Sequence, residues 1–99
     1  MTEEIEKRVV DEIETALSSI GKLKILRLLM KSPDHAFTRY EIGKKTPINP
    51  RDIKNNLQAL LEIGWLTELK YGHLQKYSIN MDHNIVQRLS TFFRDIDYI

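Results

Sequence analysis

Apolar residues recur along this chain at two different spacings, and the change between them falls at Gly64. Before that glycine the period is helical. Ile5, Val9, Ile13, Ala16 and Ile20 stand three or four residues apart with charges between them, which predicts a helix from Glu3 to Leu17. The next block, Leu23, Ile25, Leu26, Leu28 and Leu29, is too wide for one stripe. A helix over about Ser19 to Lys31, capped by Ser18 or Ser19 and stopped by Pro33 and Asp34, is therefore expected to be the most buried element. Thr38, with Glu41 three residues on, fits a capping box and opens a short third helix that Pro47 ends. Asn49 then offers an N-cap, Pro50 a first helical residue and Gly64 a left-handed close for a fourth helix, with Ile53, Leu57, Leu60 and Leu61 on one face.

Beyond Gly64 the apolar positions alternate. Leu66, Leu69 and Tyr71 lead into Gly72-His73, and Tyr77 and Ile79 alternate with polar partners, as in a β-hairpin turning at glycine. A last helix follows Asp82, with Ile85, Leu89, Phe92, Phe93 and Ile96 on its apolar stripe and Arg88, Arg94 and Asp95 outside it. The predicted class is mainly α with a small antiparallel β-hairpin (α+β). A chain of 99 residues suits one domain over 1–99, with a core that removes roughly 60–70% of the unfolded surface from water. Residues 38–64 have the lengths and turn of a helix-turn-helix, and 65–80 those of a wing, with extra helices at 1–17 and 82–99.

Charge adds a direction to this outline. The net charge is +1, but there are two basic and six acidic residues as far as Gly21, eleven and five from Lys22 to Lys76, and two and three thereafter. A basic centre between acidic ends suits a polyanion held by the middle segment, with the ends doing other work. Cysteine is absent, which removes disulfides and thiolate chemistry. No stretch approaches the roughly 20 apolar residues of a membrane span, and MTEEIEKRVVDEIE lacks the basic start and apolar run of a secretory signal, so a cytoplasmic location is expected. His35, His73 and His83 have no metal-ligand spacing and no glycine-rich phosphate loop is present, so neither catalysis nor a cofactor is expected.

Several segments together resemble the winged-helix transcription regulators of the ArsR and MarR type, most closely the ArsR-like group. LSSIGKLKILRLL (Leu17 to Leu29) is similar to that family's second helix, and FTRYEIGKKTPIN (Phe37 to Asn49) to the first helix-turn-helix segment. NPRDIKNNLQALLEIGWL is similar to the recognition helix running into the wing, and KYSIN (Lys76 to Asn80) to the wing exit. The resemblance implies a homodimer on double-stranded DNA, with the terminal helices forming the two-fold contact and two recognition helices about one DNA turn apart. Two departures matter. The family's metal sensors carry cysteines where this chain has YEIGKKT, so thiolate sensing is not transferred, and Lys22 stands where arginine is frequent.

On this outline the helix at 50–63 would lie in the major groove. Its outer residues Arg51, Asp52, Lys54, Asn55 and Gln58 are the candidate base readers, because Arg donates to guanine, Asn and Gln pair bidentately with adenine, and Asp accepts from cytosine. Ser19, Lys22, Arg39, Tyr40, Lys44, Lys45 and Asn49 are the candidates for the DNA backbone, where contacts set register without reading sequence. The wing over 68–77 would lie on the backbone or in the minor groove through Lys70, His73, Gln75 and Lys76. Gly43, in mid-helix, points to close packing of the two motif helices, and Trp65 to a corner position in the core or an interface. Ile5, Val9, Ile13, Leu89, Phe92, Phe93, Ile96 and Tyr98 are the candidate dimerisation residues; Phe92, Phe93, Ile96, Tyr98 and Ile99 offer more apolar surface than a small winged helix needs for itself, and the alternative is that the terminal helices pack over their own core. No small-molecule effector is evident. The rival outline is a winged-helix protein-interaction module, or a subunit of a larger complex, whose basic face meets an acidic protein.

Overall fold

Side-chain acceptors fix where four of the five helices begin. The computed structural model describes residues 3–99 and runs α1 (Glu3–Ala16), α2 (Ile20–Lys31), β1 (Phe37–Thr38), α3 (Arg39–Lys45), α4 (Pro50–Glu62), β2 (Leu66–Tyr71), β3 (Leu74–Ile79) and α5 (Asn84–Asp95). The first two residues of the helix expected at 1–17 lie outside the described residues. Ser19 caps α2, Asn49 caps α4 and His83 caps α5, each accepting from a backbone N–H that would otherwise lack a partner. At α3 both halves of the expected capping box are present, Thr38 Oγ1 accepting from Glu41 N–H at 3.1 Å and Glu41 Oε1 from Thr38 N–H at 2.9 Å. That backbone hydrogen bond holds the Glu41 carboxyl below its ordinary pKa.

Two helices end in the same way. Gly64 adopts φ 79 after α4; its N–H bonds Leu61 O, and that of Trp65 bonds Leu60 O. Asp97 adopts φ 62 after α5; its N–H bonds Arg94 O, and that of Tyr98 bonds Phe93 O. Both are Schellman closures, and both turn an aromatic side chain back onto the protein.

The core gathers the inward faces of all these elements. Ile25, Leu26, Leu29 and Met30 make α2 the most buried helix, as its width predicted. Ile53, Leu57 and Leu60 bury the inner face of α4, each stabilising the fold by roughly 1.5–3 kcal/mol, while Leu61 is only half-buried. These contacts fix the rotation of α4 about its own axis.

The sheet differs from the expected two-stranded hairpin, having three antiparallel strands in the order β1-β3-β2. The extra strand is Phe37–Thr38, paired with Tyr77 and Lys76. It is two residues long and shares Thr38 with the α3 cap, so it has no alternation of its own to read. Gly72 opens the two-residue hairpin loop at φ 58, as the first position of a type II′ turn requires. The whole is a winged helix-turn-helix, mainly α, with α1 and α5 added to it.

Candidate nucleic-acid interface

With Ile53, Leu57 and Leu60 turned inward, Arg51, Asp52, Lys54, Asn55 and Gln58 are all exposed on α4. Among the described residues the side chains of Arg51, Lys54 and Asn55 have no hydrogen-bond or ion-pair partner in the protein. The five do not form one uniform face, however. Lys54 and Gln58 line a groove of about 270 Å³ between α4 and the wing, shared with Arg39, Glu68, Gln75 and Tyr77. Gln58 Nε2 also donates to Glu62 Oε1 at 3.3 Å. Asp52 faces the other flank, beside Ser19, Ile20 and Asn49 near the start of α2, where a helix N-terminus favours a carboxylate.

Arg39, Tyr40 and Lys44 lie together along a second groove of 540 Å³ between α3 and the start of α4, floored by Gly43, Ile48, Pro50 and Ile53. Lys44 Nζ lies 5.0 Å from the centre of the Tyr40 ring. A Cβ on Gly43 would stand 3.4 Å from Ile53 Cδ1, so α3 and α4 leave room for little more than a methyl. A tighter approach, which the sequence did not single out, is at Gly21, where a Cβ would come within 2.5 Å of Asn56 Nδ2. Lys45 turns away from Lys44 into a different groove with Lys24, Arg27 and Lys31, so the two adjacent lysines serve opposite flanks of α3.

The N-terminal polar residues are largely committed to the helices they start. Ser19 Oγ accepts from Lys22 N–H at 3.2 Å, Lys22 Nζ donates to Ser18 Oγ at 2.8 Å, and Asn49 Oδ1 accepts from Arg51 N–H at 2.9 Å.

The four wing residues do not converge. Glu68 holds two of them on the side facing α4, Lys70 at 3.4 Å and Gln75, whose Nε2 donates to Glu68 Oε2, at 2.7 Å. His73 is exposed at the tip. Lys76 lies at the base of the hairpin opposite Thr38, where its charge acts on the Glu41 carboxylate.

A second polar cluster lies at the root of the hairpin, and the sequence did not reveal it. Glu12 Oε1 accepts from Trp65 Nε1 at 3.0 Å and lies 2.8 Å from His83 Nε2. His83 Nδ1 accepts from Ile85 N–H at 3.2 Å, so the imidazole proton sits on Nε2 and points at Glu12. Trp65 is fully buried, in keeping with its corner position. Glu12 reads in sequence as one more solvated charge of an acidic helix; its side chain is 15% exposed.

The dimerisation candidates divide into two sets. Ile5, Val9, Phe92 and Ile96 are exposed, while Ile13 and Leu89 are half-buried against the core. Phe93 is instead buried within its own protomer, at 8% exposure, which corrects its placement at an interface. Tyr98 is half-buried like Ile13 and Leu89: the closure at Asp97 lays its ring 4.8 Å from that of Phe93, and Arg27 donates to its carbonyl oxygen at 2.8 Å. No three His, Asp or Glu side chains among the described residues come together as metal ligands, and no helix among them is long and apolar enough to cross a membrane.

No protein-family model and no curated protein matches the chain. Solved structures do. HlyU from Vibrio cholerae is 16% identical, with a TM-score of 0.78 over 96% of this chain and 97% of its own. The transcriptional repressor BigR from Xylella fastidiosa is 21% identical, with a TM-score of 0.72 over 97% and 96%. A homodimeric winged helix-turn-helix DNA-binding domain from Mycobacterium bovis, described as a possible ArsR-family transcriptional regulator, is 24% identical, with a TM-score of 0.70 over 98% and 87%. At these identities the likeness is one of fold, and that fold is the winged helix-turn-helix.

Proposed function

We propose that this chain is a sequence-specific, double-stranded DNA-binding regulator of transcription that acts as a homodimer, with α4 in the major groove and the wing on the backbone or in the minor groove. The observation that carries the proposal is the state of α4: rigidly seated by Ile53, Leu57 and Leu60, yet bearing Arg51, Lys54 and Asn55 with no protein partner among the described residues. Donors and acceptors held at fixed positions and left open to solvent are what major-groove reading needs. Arg39, Tyr40 and Lys44, along the neighbouring groove, supply cations and a hydroxyl for phosphates. The repressor and the homodimeric DNA-binding domain of the same fold support the regulatory and dimeric parts. Residues 1–99 then act as one unit, paired through Ile5, Val9, Phe92 and Ile96 with Ile13 and Leu89 at the margin.

Selection of bound sequences from a random duplex pool tests this directly. Enrichment of an inverted repeat with half-sites about one helical turn apart is expected. A chain that retains no duplex even at low salt would instead be a protein-interaction module.

A further inference from the structure

We propose that the groove between α3 and the start of α4 is an effector site for an aromatic carboxylate, whose binding displaces the duplex. The displacement rests on the DNA-binding function above; the site itself does not. At 540 Å³ the groove falls within the roughly 300–1,000 Å³ of cavities that hold organic ligands. Ile48, Pro50 and Ile53 give it an apolar floor, Tyr40 adds an exposed ring, and Arg39 and Lys44 bring two positive charges with no carboxylate among the lining residues. The side chains of Arg39 and Lys44 make no hydrogen bond or ion pair among the described residues. Phosphate contacts would use the cations and the Tyr40 hydroxyl, but they leave the floor unexplained, since a phosphate oxygen gains nothing from Ile48, Pro50 or Ile53.

Gly43 is the second observation. It is exposed in the middle of α3, where alanine makes the better helix. Packing does not demand the glycine, because Ile53 Cδ1 at 3.4 Å is all that a Cβ would meet within 4 Å. Residues 40, 43 and 44 share one helix face, so that Cβ would rise into the groove between Tyr40 and Lys44. Glycine keeps the floor low where a flat ligand would rest. An inorganic anion would leave the floor bare, and an uncharged ring would leave the cations unpaired. A carboxylate carried on a ring answers both, and the Tyr40 ring favours an aromatic body over an alkyl chain because two rings can stack. Arg39 and Lys44 cannot serve that carboxylate and a DNA phosphate at once, so ligand and duplex compete.

The probe is 2-naphthoate, titrated into the full chain and followed by amide nitrogen–proton NMR. Saturable shifts are expected at residues 39–53, with 2-naphthylmethanol, which has the ring without the charge, and acetate, which has the charge without the ring, each binding at least about tenfold more weakly. Gly43→Ala, its fold checked by the same spectra, should retain wild-type duplex binding and lose about tenfold in naphthoate affinity. Lys44→Gln leaves the floor as it was and should weaken naphthoate while leaving the alcohol unchanged. In fluorescence anisotropy, saturating naphthoate should weaken the wild type on duplex by about tenfold relative to acetate at equal concentration, and Gly43→Ala far less. Absence of saturable shifts, equal binding of the alcohol, or naphthoate affinity unchanged in both variants overturns the site. Shifts in the groove with duplex affinity unaltered overturn the displacement. A wild type that retains no duplex at low salt while naphthoate still titrates the groove overturns the DNA-binding function and leaves the ligand site standing.

Discussion

The outer face of α4 and the cluster at the root of the hairpin use similar polar groups for opposite ends. Around Glu12, one carboxylate oxygen meets the Trp65 and His83 donors, the second imidazole nitrogen caps α5, and no buried side-chain polar atom is left without a partner among the described residues. On α4 the side chains of Arg51, Lys54 and Asn55 make no such bond. A polar group shielded from water must be paired or it destabilises the fold, so the rear cluster is explained by stability alone. A polar group in water has no such obligation. Its meaning comes from how firmly the backbone beneath it is held, and α4 is held by three buried side chains and by defined closures at both ends. Side-chain chemistry by itself therefore says little about which polar residues act on a partner; pairing and seating together say more.

The largest expected effect separates the two regions by readout. Arg51→Ala combined with Asn55→Ala should remove two base contacts, each worth about 1–3 kcal/mol of discrimination, and flatten the preference between a selected site and random duplex. Thermal unfolding should shift by less than about 0.5 kcal/mol in stability, because neither side chain has a partner to lose. Loss of binding accompanied by a comparable loss of stability would erase the distinction between the faces.

Glu12→Ala is the mirror experiment. It leaves the buried Trp65 N–H without an acceptor and removes the partner of His83, and the expected cost is about 1–3 kcal/mol in chemical denaturation. Glu12→Gln keeps an acceptor oxygen and should cost less. Both variants, measured where they remain folded, should keep the base preference of the wild type. A change of preference at unchanged stability would show that the hairpin root communicates with the reading face.

How much of this was legible depends on whether the determinant was local. The capping box at Thr38 and Glu41, the cap at Asn49 with Pro50, and the turn at Gly72 are each set within four residues, and each appears in the structure where the spacing put it. The rotation of α4 followed from its period, so the exposure of Arg51, Lys54, Asn55 and Gln58 was legible too. Glu12, Trp65 and His83 lie far apart in the chain and meet only through packing, so nothing local distinguishes Glu12 from the acidic residues around it. Strand β1 is too short for a period, and the Lys44 and Lys45 side chains divide between two grooves by a helical rotation that matters only once α2 and α4 are in place. The packing of Tyr98 on Phe93 was not legible, because an aspartate took the left-handed closing position that glycine usually marks.

That last difference gives the smallest and most local test, since the two helix ends share a geometry but not a residue. Gly64→Ala puts a Cβ on a backbone at φ 79 and should cost about 1–2 kcal/mol, with Trp65 displaced from Glu12 as part of that cost. Asp97→Gly removes the Cβ from a backbone at φ 62 and should be neutral or stabilise by up to about 1 kcal/mol, even though it frees the unfolded chain. Opposite signs in denaturant unfolding, at equal slope, would place the strain in the conformation itself. If Asp97→Gly were instead clearly destabilising, the aspartate would be holding Tyr98 over Phe93 by something other than backbone shape, and the packing of those two rings would need another cause.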